Sequence, residues 1–320
     1  MRPAFSIIFF TTLSGAGYGL WFLVGAAVLV GAAPPDRMAV LVPLVAGFVL
    51  TSAGLLASVA HLGKPLRAWR ALSQWRSSWL SREGVLSLAC VPLCALLAWR
   101  VESVHSGLRI RLGFALLAVL AAATVFCTAR IYASLKTVRA WNDARVTPLY
   151  GLLALQTGGL WFWLLVGPYA AVAAVEPAEP AAAGTAAIWL LGLAAVVVAA
   201  SSLQHAYWRQ RLDDGPDAAA ATGLGRAGGV HSVEAPHTEE NYLTREMGFV
   251  LARRHGARLR TITTHLLFLV PLAAIGLALL LPAWMPACAL VATASAMLGV
   301  FVQRWLFFAQ ARHAVQAYYG

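Results

Sequence analysis

Long apolar stretches alternate with polar connections along almost the whole chain. A helix needs about 20 mostly apolar residues to cross a bilayer. The pattern therefore predicts an all-α, polytopic integral membrane bundle of about eight transmembrane helices. The third stretch is the shortest, so Glu83 and Arg100 are predicted to mark its two interfaces. The predicted spans are residues 5–32, 38–60, 84–99, 112–129, 147–174, 185–206, 262–281 and 284–308.

The polar connections predict one membrane domain, 1–320, with a single long polar loop at 208–260 on the cytoplasmic side. The chain carries 24 Lys and Arg residues and a net charge of +11. Most of these cationic residues lie on the same side of the predicted spans as the two termini. Lys and Arg concentrate on the cytoplasmic side of membrane proteins, so their distribution predicts that both termini are cytoplasmic. The basic character then reflects topology and lipid headgroups, not nucleic acid. On the opposite side lie only Arg37, Arg100, Arg109 and Arg111.

The four cysteines all fall within predicted spans and none lies in a polar connection. Iron–sulfur and zinc sites gather several Cys or His ligands in polar loops. The cysteines are therefore predicted to be core residues, and no metal site is expected in this chain. They are Cys90, Cys94, Cys127 and Cys288.

Two weak internal correspondences link the halves of the chain. His61 and His205 each lie near the end of a span, four spans apart. The strings Leu80–Glu83 and Leu243–Glu246 have the same spacing in spans. Either a four-plus-four duplication or the chance recurrence of short strings explains these similarities.

The most informative segment for chemistry is residues 61–84. Gly63 and Pro65 end the second span, because Pro cannot donate to a helix and Gly permits the turn. His61 and Glu83 are therefore predicted to lie in the same membrane layer. Reduction of a quinone takes up two protons, and an imidazole is suited to carry one near neutral pH. Aromatic walls from Trp79 and its neighbouring tryptophans would hold the quinone ring.

A simpler interpretation of the same residues stays open. His61 would lie in the headgroup region, Ser81 would be an N-cap, and Glu83 would be a first-turn acid favoured by the helix dipole. The tryptophans and arginines would form an ordinary interfacial belt.

Three strings in the chain resemble a known family. They are His-Leu-Gly-Lys-Pro-Leu-Arg-Ala at 61–68, Trp-Arg-Ser-Ser-Trp-Leu-Ser-Arg-Glu at 75–83 and Leu-Thr-Arg-Glu-Met-Gly-Phe at 243–249. The first, with the acid that follows it, is similar to the membrane-anchor subunit of dimethyl sulfoxide reductase-type molybdoenzymes. The other two are similar to a branch associated with quinone-linked sulfite dehydrogenases.

The resemblance implies a complex in the bacterial inner membrane. A molybdopterin-bearing catalytic subunit and an iron–sulfur subunit would carry the sulfur chemistry and the electrons. This chain would exchange electrons with the quinone pool, as ubiquinone or menaquinone, and would bind no haem and hold no catalytic residue for the sulfur substrate. The implied quinone-binding residues are His61, Glu83, Arg67, Arg82 and Trp79, and the implied docking residues are Arg70, Arg76, Arg245 and Glu246.

Four other functions remain open from the residues. The anchor could serve a dimethyl sulfoxide reductase that oxidises quinol, in place of an enzyme that oxidises sulfite. A haem b protein needs paired histidines at membrane depth, and only His61, His205 and His265 lie near helix ends at one face. A transporter needs ionisable groups in mid-membrane, whereas Arg304 lies where it can snorkel to the interface. The fourth is a purely structural anchor.

Overall fold

A computed structural model describes residues 4–32, 36–60, 62, 64–101, 107–173, 180–209, 219, 230, 251–311, 313 and 314. In this part of the chain, eight helical segments are long and apolar enough to cross a membrane. The predicted all-α membrane bundle is therefore confirmed.

Six of the spans are single α-helices. They are α1 (Phe5–Leu29), α2 (Arg37–Val59), α3 (Trp79–Trp99), α4 (Leu108–Ala133), α5 (Val146–Ala173) and α6 (Pro180–Trp208). The seventh span combines α7 (Leu251–Thr263), a π-helical segment (Thr264–Leu269) and α8 (Val270–Leu280), and the eighth is α9 (Met285–Ala309). A 3-10 helix, Pro65–Gln74, connects α2 to α3, and a 3-10 turn, Pro282–Trp284, precedes α9.

The third span begins earlier than its apolar residues indicate. Helix α3 starts at Trp79 because the Ser78 hydroxyl accepts a hydrogen bond from the Ser81 backbone N–H. Such a cap satisfies one of the otherwise unpaired N–H groups of the first turn. The expectation that Ser81 is the N-cap is therefore wrong. Glu83 lies inside the helix and not at its beginning.

Helix α1 is the centre of the bundle, where it packs against α2, α4, α5 and α9. Most of its residues from Thr11 to Val28 are buried. One apolar core joins α1 to α2, α3, α4 and α5, and a second joins α5 to α6, α8 and α9. Helix α5 contributes to both cores and links the two parts of the bundle. Helix α6 packs mainly against α5 and is the most exposed of the eight spans.

The crossing of α1 and α5 depends on two glycines that leave no room for a side chain. A Cβ atom added to Gly19 would overlap the Ala154 carbonyl oxygen, and one added to Gly158 would overlap the backbone of Gly19 and Leu20. Between helices in lipid, apolar burial supplies little driving force, so close backbone approach supplies much of the attraction. Gly19 and Gly158 therefore determine how near α5 comes to the central helix.

The π-helical segment in the seventh span is explained by Pro271. Proline has no backbone N–H, so it cannot satisfy a carbonyl in the preceding turn. Side chains of neighbouring helices supply the missing donors. The Ser295 hydroxyl of α9 donates to the Leu266 carbonyl over 2.8 Å, and the Gln156 amide of α5 donates to the Leu267 carbonyl. Gln156, a polar residue in the middle of α5, thus has a structural role.

All four cysteines are free and buried, which confirms their prediction as core residues.

The connection between α4 and α5 is hydrogen-bonded to α9 and to the residues after it. Ala314 donates its backbone N–H to the Thr137 carbonyl over 2.8 Å, and the Trp141 indole donates to the Phe307 carbonyl over 3.0 Å. Hydrogen bonds therefore join the connection between α4 and α5 to α9 and to the residues that follow it.

We expect Gly19→Ala to destabilise the protein, because the new methyl group would overlap the Ala154 carbonyl. Overpacking of this kind costs about 1–3 kcal/mol. Gly15→Ala in the same helix is the matched control, since a Cβ atom there meets no atom within 4 Å. The midpoint of thermal unfolding in detergent measures both. Equal midpoints for the two variants would contradict the close crossing of α1 and α5.

Candidate functional site

The connection between α2 and α3 presents a cationic and aromatic surface. Its 3-10 helix starts at Pro65, whose ring restricts the backbone at the first helical position. Leu66 is 93% exposed and Trp69 is 66% exposed, while Arg67, Arg70 and Arg76 are also exposed. Apolar and aromatic side chains interleaved with arginines are typical of a surface at the membrane–water interface.

This surface is fastened to the first turns of α3. The buried Ser81 hydroxyl donates a short hydrogen bond to the Ala71 carbonyl of the 3-10 helix. The Arg82 guanidinium donates to the Trp75 carbonyl over 3.0 Å and to the Arg76 carbonyl over 2.6 Å. The 3-10 helix is therefore attached to the segment of α3 that carries Glu83.

Two cationic side chains lie over the ring of Trp79, which is at the start of α3. The guanidinium carbon of Arg82 is 4.3 Å from the Trp79 ring centroid, and that of Arg130 on α4 is 5.5 Å away. Phe126 of α4 makes an edge-on contact with the same ring, with centroids 5.8 Å apart. Cations are attracted to the face of an indole, so Trp79 holds two positive charges close to the Glu83 turn.

Glu83 is inside the bundle, with 4% of its surface exposed. The Thr128 hydroxyl of α4 donates a short hydrogen bond to the Glu83 Oε1 atom. The Glu83 side chain therefore faces α4. A buried carboxyl group needs hydrogen-bond partners, whereas an acid exposed in the first turn of a helix is solvated by water and needs none. The burial of Glu83 therefore argues against the simpler interpretation, in which Glu83 only interacts with the helix dipole.

A second set of hydrogen bonds connects the Glu83 turn to the central helix. The Ser87 hydroxyl donates to the Glu83 carbonyl over 2.7 Å, and the Tyr18 hydroxyl of α1 donates to Ser87 Oγ over 2.9 Å. All three side chains are buried. The acid is thus held from two sides, by α4 through its carboxyl group and by α1 through its backbone.

Sequence reasoning missed a polar row that continues from Thr128 toward α9. One turn along α4, Tyr132 stacks on Tyr150 of α5 with ring centroids 6.0 Å apart. The Arg304 guanidinium carbon lies 3.5 Å from the Tyr150 ring centroid. Arg304 is 3% exposed, so the expectation that it snorkels to the interface is wrong. The sequence does not reveal this inward orientation, because an arginine near the end of a span can equally well reach the interface.

The structure brings together Trp79, Arg82 and Glu83 of the predicted quinone-binding residues. Arg67 lies exposed near the start of the 3-10 helix, apart from the buried Glu83 side chain. Of the predicted docking residues, Arg70 and Arg76 are exposed on the same connection. The other three predicted site residues, His61, Arg245 and Glu246, lie outside the described residues.

The other two histidines near helix ends lie away from this site. His205 Nδ1 is 2.7 Å from the Ser201 carbonyl oxygen, and its Nε2 is 3.4 Å from Thr264 Oγ1. His265 is exposed, with Nδ1 2.8 Å from the Thr261 carbonyl oxygen. Within the described residues, no group of three or more His, Cys, Asp or Glu side chains is arranged to hold a metal ion.

The eight spanning helices in the described residues define the chain as a multi-pass membrane protein. A family model described as DMSO reductase anchor subunit (DmsC) matches residues 1–309, and the chain belongs to this family. It is also similar to a subunit of the sulfite dehydrogenase of Allochromatium vinosum. The two chains are 32% identical over 339 aligned residues, which cover 100% of this chain and 99% of that protein. The family expected from the sequence strings is therefore confirmed.

We expect Thr128→Val to destabilise the protein, because it leaves a buried carboxyl oxygen without its donor. The loss of such a donor costs about 1–3 kcal/mol. Thr157→Val is the matched control, since the buried Thr157 hydroxyl donates within its own helix, over 2.8 Å to the Leu153 carbonyl. Thermal unfolding in detergent measures the difference. In a Glu83→Leu background the cost of Thr128→Val should fall to that of Thr157→Val, because the Thr128 hydroxyl can still donate to the Thr124 carbonyl over 3.0 Å. An unchanged cost would show that the hydrogen bond to Glu83 has no such role.

Proposed function

We propose that this chain exchanges electrons between an iron–sulfur partner subunit and membrane quinone at a site next to Glu83. The observation that carries the proposal is the buried carboxyl group of Glu83, held by Thr128 one or two turns from an exposed, cationic connection. Family membership supports an anchor role within a complex that also contains a molybdopterin-bearing subunit. Molybdopterin and the iron–sulfur clusters would belong to those partners.

The chemistry of quinone explains why a buried acid is useful at this position. Conversion of quinone to quinol takes up two electrons and two protons, and the reverse reaction releases them. The electrons would come from or return to the iron–sulfur subunit, and Glu83 and His61 would transfer the protons. Arg82 and Trp79 would stabilise the negative charge that gathers on the quinone oxygens as electrons arrive, with Arg67 at the outer edge of the site.

The direction of electron flow follows from the partner that the chain serves. Similarity over its full length to a sulfite dehydrogenase subunit favours sulfite oxidation with reduction of quinone. The family description favours the alternative, in which quinol is oxidised to support reduction of dimethyl sulfoxide. We propose sulfite oxidation with reduction of quinone. The complex would lie in the bacterial inner membrane, with both termini and the partner subunits on the cytoplasmic side. The bias of Lys and Arg toward that side supports this orientation.

The connection between α2 and α3 is the proposed docking surface for the iron–sulfur subunit. Arg70 and Arg76 are exposed there and lie beside Trp69 and Trp75, with guanidinium carbons 5.7 and 5.4 Å from the respective ring centroids. Arginine and tryptophan are the residue types that dominate binding energy at protein interfaces. Arg245 and Glu246 would complete the surface from the long polar segment.

We expect Glu83→Gln to lower quinone-linked turnover of the assembled complex by about 100-fold or more, the usual contribution of a proton-transferring group. The amide keeps an oxygen that can accept the Thr128 hydrogen bond, so the fold should persist. His61→Gln should have a similar effect. Turnover is measured with sulfite and a soluble quinone, and the molybdenum and iron that copurify with the chain report assembly.

Two controls separate loss of the quinone reaction from general damage. An artificial dye that takes electrons directly from the partner subunits should be reduced at the normal rate by both variants. His265→Asn, at an exposed histidine near the end of another span, should keep full quinone-linked turnover. Full quinone-linked turnover in Glu83→Gln and His61→Gln would favour the purely structural anchor. A haem absorption band in the purified chain would favour the cytochrome.

We expect the double substitution Arg70→Glu and Arg76→Glu to prevent the iron–sulfur subunit from copurifying with the chain. Reversal of two charges at an interface places like charges where opposite charges met. Arg100→Glu with Arg109→Glu, at the opposite end of the bundle, is the matched control and should leave copurification intact. The ratio of iron to protein after affinity purification measures the result. Normal iron content in the first variant would place docking elsewhere.

A further inference from the structure

A cleft between α4 and α5 has no role in the function proposed above. Its volume is about 350 Å³, which lies in the range of pockets that bind small molecules. Tyr18, Gly19 and Phe22 of α1 form its floor. The walls come from α4 and α5 and include Ala122, Val125, Phe126, Thr147, Pro148 and Gly151.

The cleft exists because small residues line it on both walls. Helices α4 and α5 each pack more extensively against α1 than against each other. Ala122 and Gly151 leave the space between the two helices unfilled, and a Cβ atom added to Gly151 would meet no atom within 4 Å. The cleft opens toward lipid, since Phe126 is 47% exposed and Pro148 is also exposed.

The lining suits a hydrocarbon ligand. Hydroxyl groups come only from Tyr18 and Thr147 among the lining side chains, and the Tyr18 hydroxyl already donates to Ser87. A quinone ring needs hydrogen-bond partners for its two oxygens. An isoprenoid chain needs none and gains free energy from each apolar group that it buries against the helices. The cleft therefore fits the tail of a quinone better than its ring.

The cleft is connected to the proposed proton-transfer site by two short routes. Its floor residue Tyr18 is hydrogen-bonded to Ser87, which is hydrogen-bonded to the Glu83 carbonyl. On α4, the lining residue Val125 lies within one turn of Thr128, the donor to the Glu83 carboxyl group. A tail in this cleft would thus extend from lipid to the neighbourhood of the acid.

We propose that the cleft between α4 and α5 binds the isoprenoid tail of the membrane quinone and is its lateral path to the site beside Glu83. The inference rests on the proposed quinone function and adds to it the position of the ligand's tail. A bound tail orients the ring and raises its local concentration, so the cleft determines preference for long-tailed over tailless quinones.

The test is to fill the cleft with Gly151→Leu in the assembled complex. The apparent KM for a decyl-substituted quinone should rise at least tenfold, while the KM for the tailless ring compound should stay unchanged. Gly192→Leu is the matched control, because Gly192 lies on an exposed face of α6 and an added Cβ atom there meets nothing within 4 Å. It should change neither KM. Ala122→Leu, on the opposite wall, repeats the test if Gly151→Leu does not assemble.

Each other outcome overturns the assignment. Unchanged KM values for both quinones in both cleft variants would mean that the cleft does not bind the tail. If the wild type then retained a phospholipid that the variants lost, the occupant of the cleft would be a lipid acyl chain. An equal rise in both KM values would assign the ring, not the tail, to the cleft. Activity of Glu83→Gln is measured in parallel, so full activity there would overturn the quinone function itself.

A photoreactive group at the end of the quinone tail gives a readout that does not depend on turnover. Irradiation should label peptides from α4 or α5 in the wild-type complex, and labelling should fall at least tenfold in Gly151→Leu but not in Gly192→Leu. Labelling confined to other helices would contradict the proposed path.

Discussion

The close approach of α1 to its neighbours is the constraint on which the rest of this bundle depends. In lipid, helices gain little from burying apolar surface, so they associate through close packing and interhelical hydrogen bonds. Gly19 and Gly158 bring the backbones of α1 and α5 into contact. Helix α4 also packs on α1, and α4 and α5 pack less extensively against each other than against α1. The cleft between α4 and α5 follows from this arrangement, and α3 packs on α4 and buries Glu83 there.

Several polar groups inside the bundle are held by partners on neighbouring helices. Pro271 leaves carbonyls without backbone donors, and side chains of α5 and α9 supply them. Glu83 receives its hydrogen bond from Thr128. Arg304 stacks on Tyr150 instead of reaching water. The side-chain donors near Pro271 are uncharged and stabilise a span. Buried ionisable groups within spans, in contrast, are costly and commonly functional. Charge and position therefore separate structural polar contacts from the candidate site.

Prediction from sequence succeeded for the spans and failed for details that depend on helix orientation. Apolar length alone is sufficient to identify a spanning helix, because the bilayer thickness is a local constraint. The sequence predicts too late a start for α3, since the first residues of the helix, Trp79 to Arg82, include polar and charged side chains that are typical of a loop. The sequence singles out Glu83 as a candidate site residue but gives no sign of its surroundings, because its partner Thr128 is 45 residues away in the chain.

The sequence by itself determined the number of spans, the membrane class and the family, because hydropathy and short strings act over one helix or one turn. Sequence adjacency also brings Trp79, Arg82 and Glu83 near one another, but only the structure shows that all three lie on α3. Only the tertiary structure decided which of these side chains face the interior and which other residues they meet. Tyr18, Thr128, Tyr150 and Arg304 come from four different helices, and their proximity depends on how those helices cross. No local pattern encodes a crossing, since it arises from the combined packing of all the helices around α1.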